Sequence, residues 1–386
     1  STKNGLIWGW GQFNLPENQG DEGQYSVSPW AGPAVRADWL EQLGMDVPET
    51  IDDWHTMLVA FRDEMGADVP LILPKTGRSG NSMFVSAFGV GAGFYQVDGT
   101  VKYGPIEPGF KEYLNQWYNE GLLDPDFAAT SSDTNFYSEY LTTGRAGSIV
   151  ETYQDIVPLY NSLFTEGEGE IVAVPYPVLN EGDEIHLGSN SPIVESGDGR
   201  RDYLTTAVSE DRLEAVCRWR DNWYTEESTM LFNYGIEGRS YNMVDGKPVL
   251  KEELQELYSS NFDSFSNDYG LYDTYWMLRN KPLVDQWRME NPDYITQMSD
   301  WANAHADLDG GIYNNLEPTG DNDAGIAATS ISQKWEEVLP QLITAESDEK
   351  FDQIMADYVQ WRENNGYAQV VEYEQNLLDT RKEMLS

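Results

Sequence analysis

An α/β fold of two closely connected lobes is what this sequence predicts, and three observations carry that expectation. A chain of 386 residues is too long for one ordinary hydrophobic core. Short apolar runs bounded by turn residues alternate with longer segments of helical periodicity, the pattern of strands and helices stacked in layers. No internal repeat, low-complexity tract or long Pro/Gly/Ser linker divides the sequence, so the lobes are not beads on a string.

Taken in order, the first clear element is a helix over 51–65: Thr50 and Asp53 make a capping box, and Trp54, Met57, Leu58 and Phe61 recur at helical spacing. Leu71, Ile72 and Leu73 lie between Pro70 and Pro74 and predict a short buried strand. Asp98-Gly99 within Phe94–Val101 is the signal of a two-residue hairpin. Helices follow over 109–120, 133–143, 153–164 and 210–224. Between them Ala146–Val150 and Ile171–Val174 are short, apolar and rich in branched residues, as strands of a parallel sheet are. From Ser332 onward the chain reads as almost entirely helical, with Trp335, Val338 and Leu339 and then Phe351, Ile354, Met355 and Val359 at helical spacings.

Composition excludes several classes of function. With 24 basic and 66 acidic residues the formal charge is −42, spread along the chain, so nucleic acid and anionic membrane surfaces are poor partners. Such a charge favours a soluble monomer. Cys217 is the only cysteine, which rules out an intrachain disulfide; beside Ala215, Val216 and Trp219 it reads as a buried thiol. His55, His186 and His305 are too far apart for a metal-ligand spacing, so no zinc site, histidine-based catalytic site or cofactor is expected. No apolar run approaches the ~20 residues that span a bilayer, and no signal peptide stands at Ser1, so the chain is expected to be soluble or processed before residue 1.

One feature of composition points toward function. Thirteen Trp, 23 Tyr and 13 Phe sit in a chain of low hydropathy, so many are at least partly wet. Flat aromatic faces suit the apolar faces of sugar rings, with Asp, Asn, Glu and Arg to take the hydroxyls. The alternative is that most are core residues with a polar tip at the surface.

Other motifs lead nowhere. Gly89, Gly91 and Gly93 form a G-x-G-x-G, but a hairpin follows rather than the helix that would cradle a pyrophosphate. Asp307, Asp309 and Gly310 match the start of a calcium loop whose later ligands are missing, and read as an acidic turn. A glycoside hydrolase needs two carboxylates roughly 5–10 Å apart across a cleft. Glu151 and Glu237 can be nominated, but among 66 acidic residues some pair always can, so this enzyme is the second reading.

The segment from Arg36 to Trp54 is the most specific. Trp39 and Gly44 followed by Pro48-Glu49-Thr50 resemble the signature of family 1 extracellular solute-binding proteins, in their lipoprotein-type branch, where a helix ends at the glycine and Pro-x-Thr starts the next. Four further segments agree in order: Tyr103-Gly104-Pro105 with Phe110–Leu114, Trp117–Phe127, Gly144–Ser148, and Arg218–Tyr224 leading to Tyr234-Gly235-Ile236-Glu237-Gly238. The resemblance spans about residues 5 to 380. It implies a type II periplasmic-binding-protein fold with a hinge and a ligand cleft between the lobes, and no enzymatic activity. Residues 13–168 with 327–386 would form the C-lobe, and 1–12 with 169–326 the remainder of the N-lobe. The implied role is capture of a sugar or oligosaccharide for the permease subunits of an ABC importer, at the extracellular face of the membrane with a lipid anchor on the full-length protein, or in a periplasm. Two departures stand out. Relatives carry a further N-terminal stretch before the part matching Gly5–Trp10, so the N-terminal part of one lobe is expected to be absent, and the short run Arg62–Pro70 lacks the calcium-ligand series many of them have.

Matching by order of elements to a sugar-binding member places Tyr153 where that member sets a tryptophan against the sugar, with Glu151 and Thr152 in the same strand-to-helix loop. Ligands of open α/β sheets bind at the carboxyl ends of strands. The loop Thr76–Ser82, with Arg78 and Asn81, also follows a strand and offers hydroxyl donors. Trp8, Trp10 and Trp30 lie around the first hinge crossing; Tyr234, Glu237 and Tyr241 belong to the Gly-Ile-Glu-Gly segment, and Asn314 to a polar loop returning to the hinge. Arginines are few, which favours a neutral oligosaccharide over an anionic one.

Overall fold

The computed structural model describes residues 31–73, 109–126, 134–152, 169–183, 208–260, 262–271, 316–318 and 322–385, with short stretches at 2–3, 6–7, 10–11, 84, 86–88, 94–97, 99–103, 201–202 and 320. In chain order its strands are β1 (Thr2–Lys3), β2 (Leu6–Ile7), β3 (Trp10–Gly11), β4 (Ala31–Arg36), β5 (Leu71–Ile72), β6 (Phe94–Val97), β7 (Thr100–Tyr103), β8 (Ser148–Thr152), β9 (Ile171–Ala173), β10 (Arg201–Asp202), β11 (Tyr241–Val244) and β12 (Lys247–Leu250). Its helices are α1 (Ala37–Leu43), α2 (Ile51–Asp63), α3 (Phe110–Asn119), α4 (Thr134–Thr142), α5 (Glu210–Asn222), α6 (Glu226–Tyr234), α7 (Glu252–Ser260), α8 (Phe262–Tyr269), α9 (Asp323–Ile343), α10 (Asp348–Asn364) and α11 (Tyr367–Leu385). The chain divides into two compact units, 27–195 with 293–386 and 1–26 with 196–292.

The first unit is built on a four-stranded sheet of order β5-β8-β4-β9. The expected strands at 146–150 and 171–174 are present as β8 and β9, but the sheet is mixed rather than parallel. Both run antiparallel to β4, which lies between them, while β5 joins β8 in parallel. The sequence hid β4 because Pro33 argues against a central strand. The register resolves the conflict: Ala34 opposes Ala173, so Pro33 falls opposite Val174, one residue past the end of β9. There it accepts from Val174 N–H at 3.0 Å, and its own missing donor leaves one ladder bond unmade at a strand end.

Helix α2 starts as expected. Thr50 Oγ accepts from Asp53 N–H at 3.1 Å, and the Asp53 carboxylate accepts from Thr50 N–H at 2.9 Å. Its buried face carries Trp54, Met57, Leu58 and Phe61 into a core where Phe84 stands edge-on between Trp54 (5.0 Å) and Trp117 of α3 (5.6 Å). The Gly144–Ser148 segment is a packing device. A Cβ on Gly147 would collide with the Phe61 ring, and Ser148 Oγ donates to Pro70 O at 2.9 Å.

The helical C-terminal part begins with α9 at Asp323, nine residues before the expected Ser332, where the Asn322 side chain accepts from Gly325 N–H. Helices α9 to α11 share a second core of Ile331, Val338, Leu342, Phe351, Tyr358, Val370 and Leu378. Asn115 Nδ2 points at the carbonyls of Leu342, Ile343 and Ala345 at 2.8–3.0 Å, tying α3 to the open end of α9. The expected hairpin is β6–β7. It docks on α11 through Gln375, which accepts from Val101 N–H and donates to Gly99 O.

The second unit holds the antiparallel pairs β1–β2 and β3–β10, the hairpin β11–β12 and helices α5 to α8. Helix α5 spans 210–222, close to the expected 210–224, but Cys217 is half-buried rather than fully buried and Trp219 is 55% exposed. The covered side of α5 is that of Arg220, whose guanidinium lies 4.7 Å from the Trp223 ring, so the apolar-looking stretch turns outward. The expected helix at 153–164, the glycines 89, 91 and 93, and the acidic turn at 307–310 lie outside the described residues. Among the described residues no helix is long and apolar enough to cross a membrane, and no three potential metal ligands come together.

Candidate functional site

Of the residues selected from sequence, Trp8, Trp30, Arg78, Asn81, Tyr153 and Asn314 lie outside the described residues. Trp10 and Glu151 are placed by their backbone alone. Trp10 pairs with Asp202 across β3–β10, and Glu151 pairs with Gly32 one residue before the carboxyl end of β8. Tyr234, Glu237 and Tyr241 are brought together at one corner of the second unit.

The corner follows from local chemistry. Thr225 caps α6 by accepting from Ser228 N–H, and Glu226 and Glu227 occupy the first turn, where the helix dipole favours acids. Gly235 ends the helix at φ 84, and a side chain there would collide with Ser240 Oγ, so glycine is required. The turn is then stitched shut: Ser240 Oγ accepts from Ile236 N–H at 2.9 Å, Ser240 and Arg239 N–H donate to Ile236 O at 2.8 and 3.0 Å, and Gly238 N–H donates to Tyr241 O at 2.7 Å. Tyr241 is only 6% exposed and meets the Tyr234 ring at 6.0 Å and 63°. Burial, and secondarily the charge of Glu237, pushes its hydroxyl pKa up. Glu237 itself is exposed.

Beside this corner opens a cavity of about 250 Å³. Its walls are Leu231 and Phe232 of α6, Ile236 and Arg239 of the turn, and Asp268 and Tyr269 at the end of α8. Leu231, Ile236 and Tyr269 are 47%, 54% and 41% exposed, so the walls present apolar and ring surface to solvent. Phe232 continues into Trp223 at 5.3 Å, and Trp223 into the exposed Trp219 at 4.9 Å. Arg239 and Asp268 supply a donor and an acceptor, and neither has an ion-pair partner among the described residues. Asp268 also sits in the last turn of α8, where the helix dipole disfavours an acid.

Sequence reasoning missed Arg239, Asp268 and Tyr269. Arg239 directly follows the Gly-Ile-Glu-Gly segment and was within reach, whereas no helix was expected over 262–269 to give the acid at its end a meaning. Chemically the cavity can bind but lacks a pair of carboxylates, since Asp268 is its one acidic wall residue among those described. The nominated pair Glu151 and Glu237 belongs to different units.

No family model matches the chain. A stretch of 244 residues, 55% of this chain and 44% of the other, is 28% identical to lipoprotein LipO of Bacillus subtilis (strain 168). The fructooligosaccharide ABC transporter substrate-binding protein FusA of Streptococcus pneumoniae serotype 4 (strain ATCC BAA-334 / TIGR4) is 24% identical over 233 residues, 57% of this chain and 40% of that one. The match therefore spans less than half the length of either relative. The crystal structure of alginate-binding protein AlgQ2 without calcium ion superposes on 93% of this chain and 75% of its own with a TM-score of 0.65 at 17% identity. The fold is thus that of the solute-binding proteins, as the sequence resemblance implied; FusA and AlgQ2 carry the names of binding proteins, and LipO that of a lipoprotein.

Proposed function

We propose that this chain is the substrate-binding component of an ABC importer and that it captures an oligosaccharide. The observation that carries the reading is the cavity of the second unit, in which exposed ring and aliphatic walls meet an arginine and an aspartate that have no ion-pair partner among the described residues. A pyranose or furanose ring offers one apolar face and several hydroxyls that both donate and accept, and these walls answer each of those needs. Tyr269 is the stacking face, and Arg239 and Asp268 are the hydroxyl partners. Tyr234, Glu237 and Tyr241 hold or border the same corner, and Tyr153, Glu151, Arg78, Asn81, Trp8, Trp10, Trp30 and Asn314 are further proposed ligand contacts.

A neutral glycan fits better than a polyanion, because a surface of charge −42 with 24 basic residues repels uronates over long range. With this function go a permease partner, a monomeric state and a place at the extracellular face with a lipid anchor on the full-length protein. The two-lobe division drawn from the sequence goes with it.

A thermal-shift screen of neutral oligosaccharides against oligogalacturonates and alginate fragments tests the reading. Ligand at 100 times its Kd stabilises by about 2.7 kcal/mol, a readily measured rise in melting temperature. A rise with a neutral glycan is expected. No shift with any glycan defeats the reading, and release of reducing ends from the glycan would favour the hydrolase instead.

A further inference from the structure

The C-terminal bundle contains a carboxylic acid where helices usually place a leucine. On α11, Val370, Glu374 and Leu378 recur at four-residue spacing and are 0%, 1% and 0% exposed, so Glu374 occupies the middle of the buried seam. Both of its carboxyl oxygens are buried without a hydrogen-bond partner among the described residues. Among the described residues the elements packed against α11 place no cation in an ion pair with it, and Lys102 of β7 is exposed. From α9 the shared core receives Ala327 and Ile331, from β7 Val101, from the segment before α9 Leu316, and from α10 Tyr358, all uncharged. Arg362 of α10 is buried in the bundle, but its guanidinium sits 3.6 Å from the Tyr367 ring centre and donates to Glu363 at 2.7 Å. Lys334 of α9 pairs with Glu337. The charge that acts on Glu374 is another acid, Glu317. Gln375, its neighbour, is committed to the β6–β7 hairpin.

We propose that Glu374 is a proton-operated latch: the bundle of α9, α10 and α11 packs around its neutral acid, and loss of that proton loosens α11 together with the hairpin docked on it. An ionised carboxylate here would be an uncompensated charge in an apolar seam, and such groups neutralise instead. Burial first, and the Glu317 charge second, push the Glu374 carboxyl up to about 8. The unfolded chain releases the same proton near the ordinary glutamate value of about 4.3. The folded bundle therefore holds a proton that the unfolded chain gives up. Its contribution to stability is complete below the unfolded value, declines as pH rises between the two, and is gone above about 8.

The experiment compares the full chain with E374Q, whose amide is isosteric and cannot ionise. Denaturant unfolding is followed through Trp335 and Trp361, which pack in the bundle, at pH values from 5 to 9. Relative to E374Q, the wild type should lose up to tenfold in its folding equilibrium per pH unit until the decline levels off near pH 8. Subtracting the variant removes the background of the other acidic groups. Identical pH profiles in the two proteins would overturn the proposal. If E374Q fails to fold, infrared spectroscopy of the wild type decides: a protonated-carboxyl band at pH 6.5 that is absent from E374M supports the latch, and absence of that band from the wild type overturns it.

Discussion

Two regions of the molecule use the same side chains to opposite ends. In the unit containing 27–195, Trp54, Phe61, Phe84 and Trp117 are all 0% exposed, locked edge-to-face around a sheet and two helices. In the unit containing 196–292, Trp219 is 55% and Tyr269 41% exposed, and Leu231 and Ile236 stand open beside a cavity. The difference lies in what covers the helix. Helix α2 keeps a continuous apolar stripe that a sheet can bury, whereas α5 buries only an arginine. An aromatic count therefore cannot separate structural from binding rings, and only the packing does.

The comparison breaks first if the closed region is not closed. Trp117→Ala should cost about 3–5 kcal/mol in denaturant unfolding, as truncation of a large core side chain does. Trp117→Phe should cost much less, because the Trp117 indole N–H has no acceptor among the described residues and its removal leaves nothing further unsatisfied. Equal costs would show that the smaller ring recovers none of the packing of the indole. Next comes Asn115→Ala, which strips a donor from the last carbonyls of α9. A loss of about 1–3 kcal/mol is expected, against near zero if water replaces the amide.

On the open side, Gly235→Ala forces a side chain into φ 84 against Ser240 Oγ. About 1–2 kcal/mol of destabilisation is expected, with glycan affinity falling in parallel because Arg239 hangs on the same turn. Unchanged affinity would detach the turn from the site. The smallest effect on stability belongs to Tyr269→Ala, within about 0.5 kcal/mol for an exposed position. Glycan affinity should nonetheless fall about 5- to 150-fold, the equivalent of roughly 1–3 kcal/mol. A large loss of stability with intact affinity would move Tyr269 from the site to the core.

What could be read from sequence follows the range of the signals. The α2 capping box, the β6–β7 hairpin and the α3 and α4 helices depend on contacts a few residues apart, and all are where periodicity and turn chemistry put them. Strand β4 was illegible because Pro33 breaks a local rule whose remedy, the end of β9, is remote in sequence. Cys217 was misread because α5 is covered on the side of Arg220, a residue the hydrophobic pattern counts as outward. At the candidate site, the Gly-Ile-Glu-Gly corner was visible as a motif. Asp268 and Tyr269 reach it from a helix about thirty residues later, which no local pattern connects to the turn.

The most direct test of carbohydrate capture is calorimetric titration of the wild-type chain and its Asp268→Ala variant with one neutral oligosaccharide series graded in length. Binding of the wild type at micromolar Kd or tighter, about −8 kcal/mol or better, with affinity reduced at least several-fold in the variant, is the expected result. No heat with any member of the series, while anionic glycans or peptides bind, would contradict the proposed function.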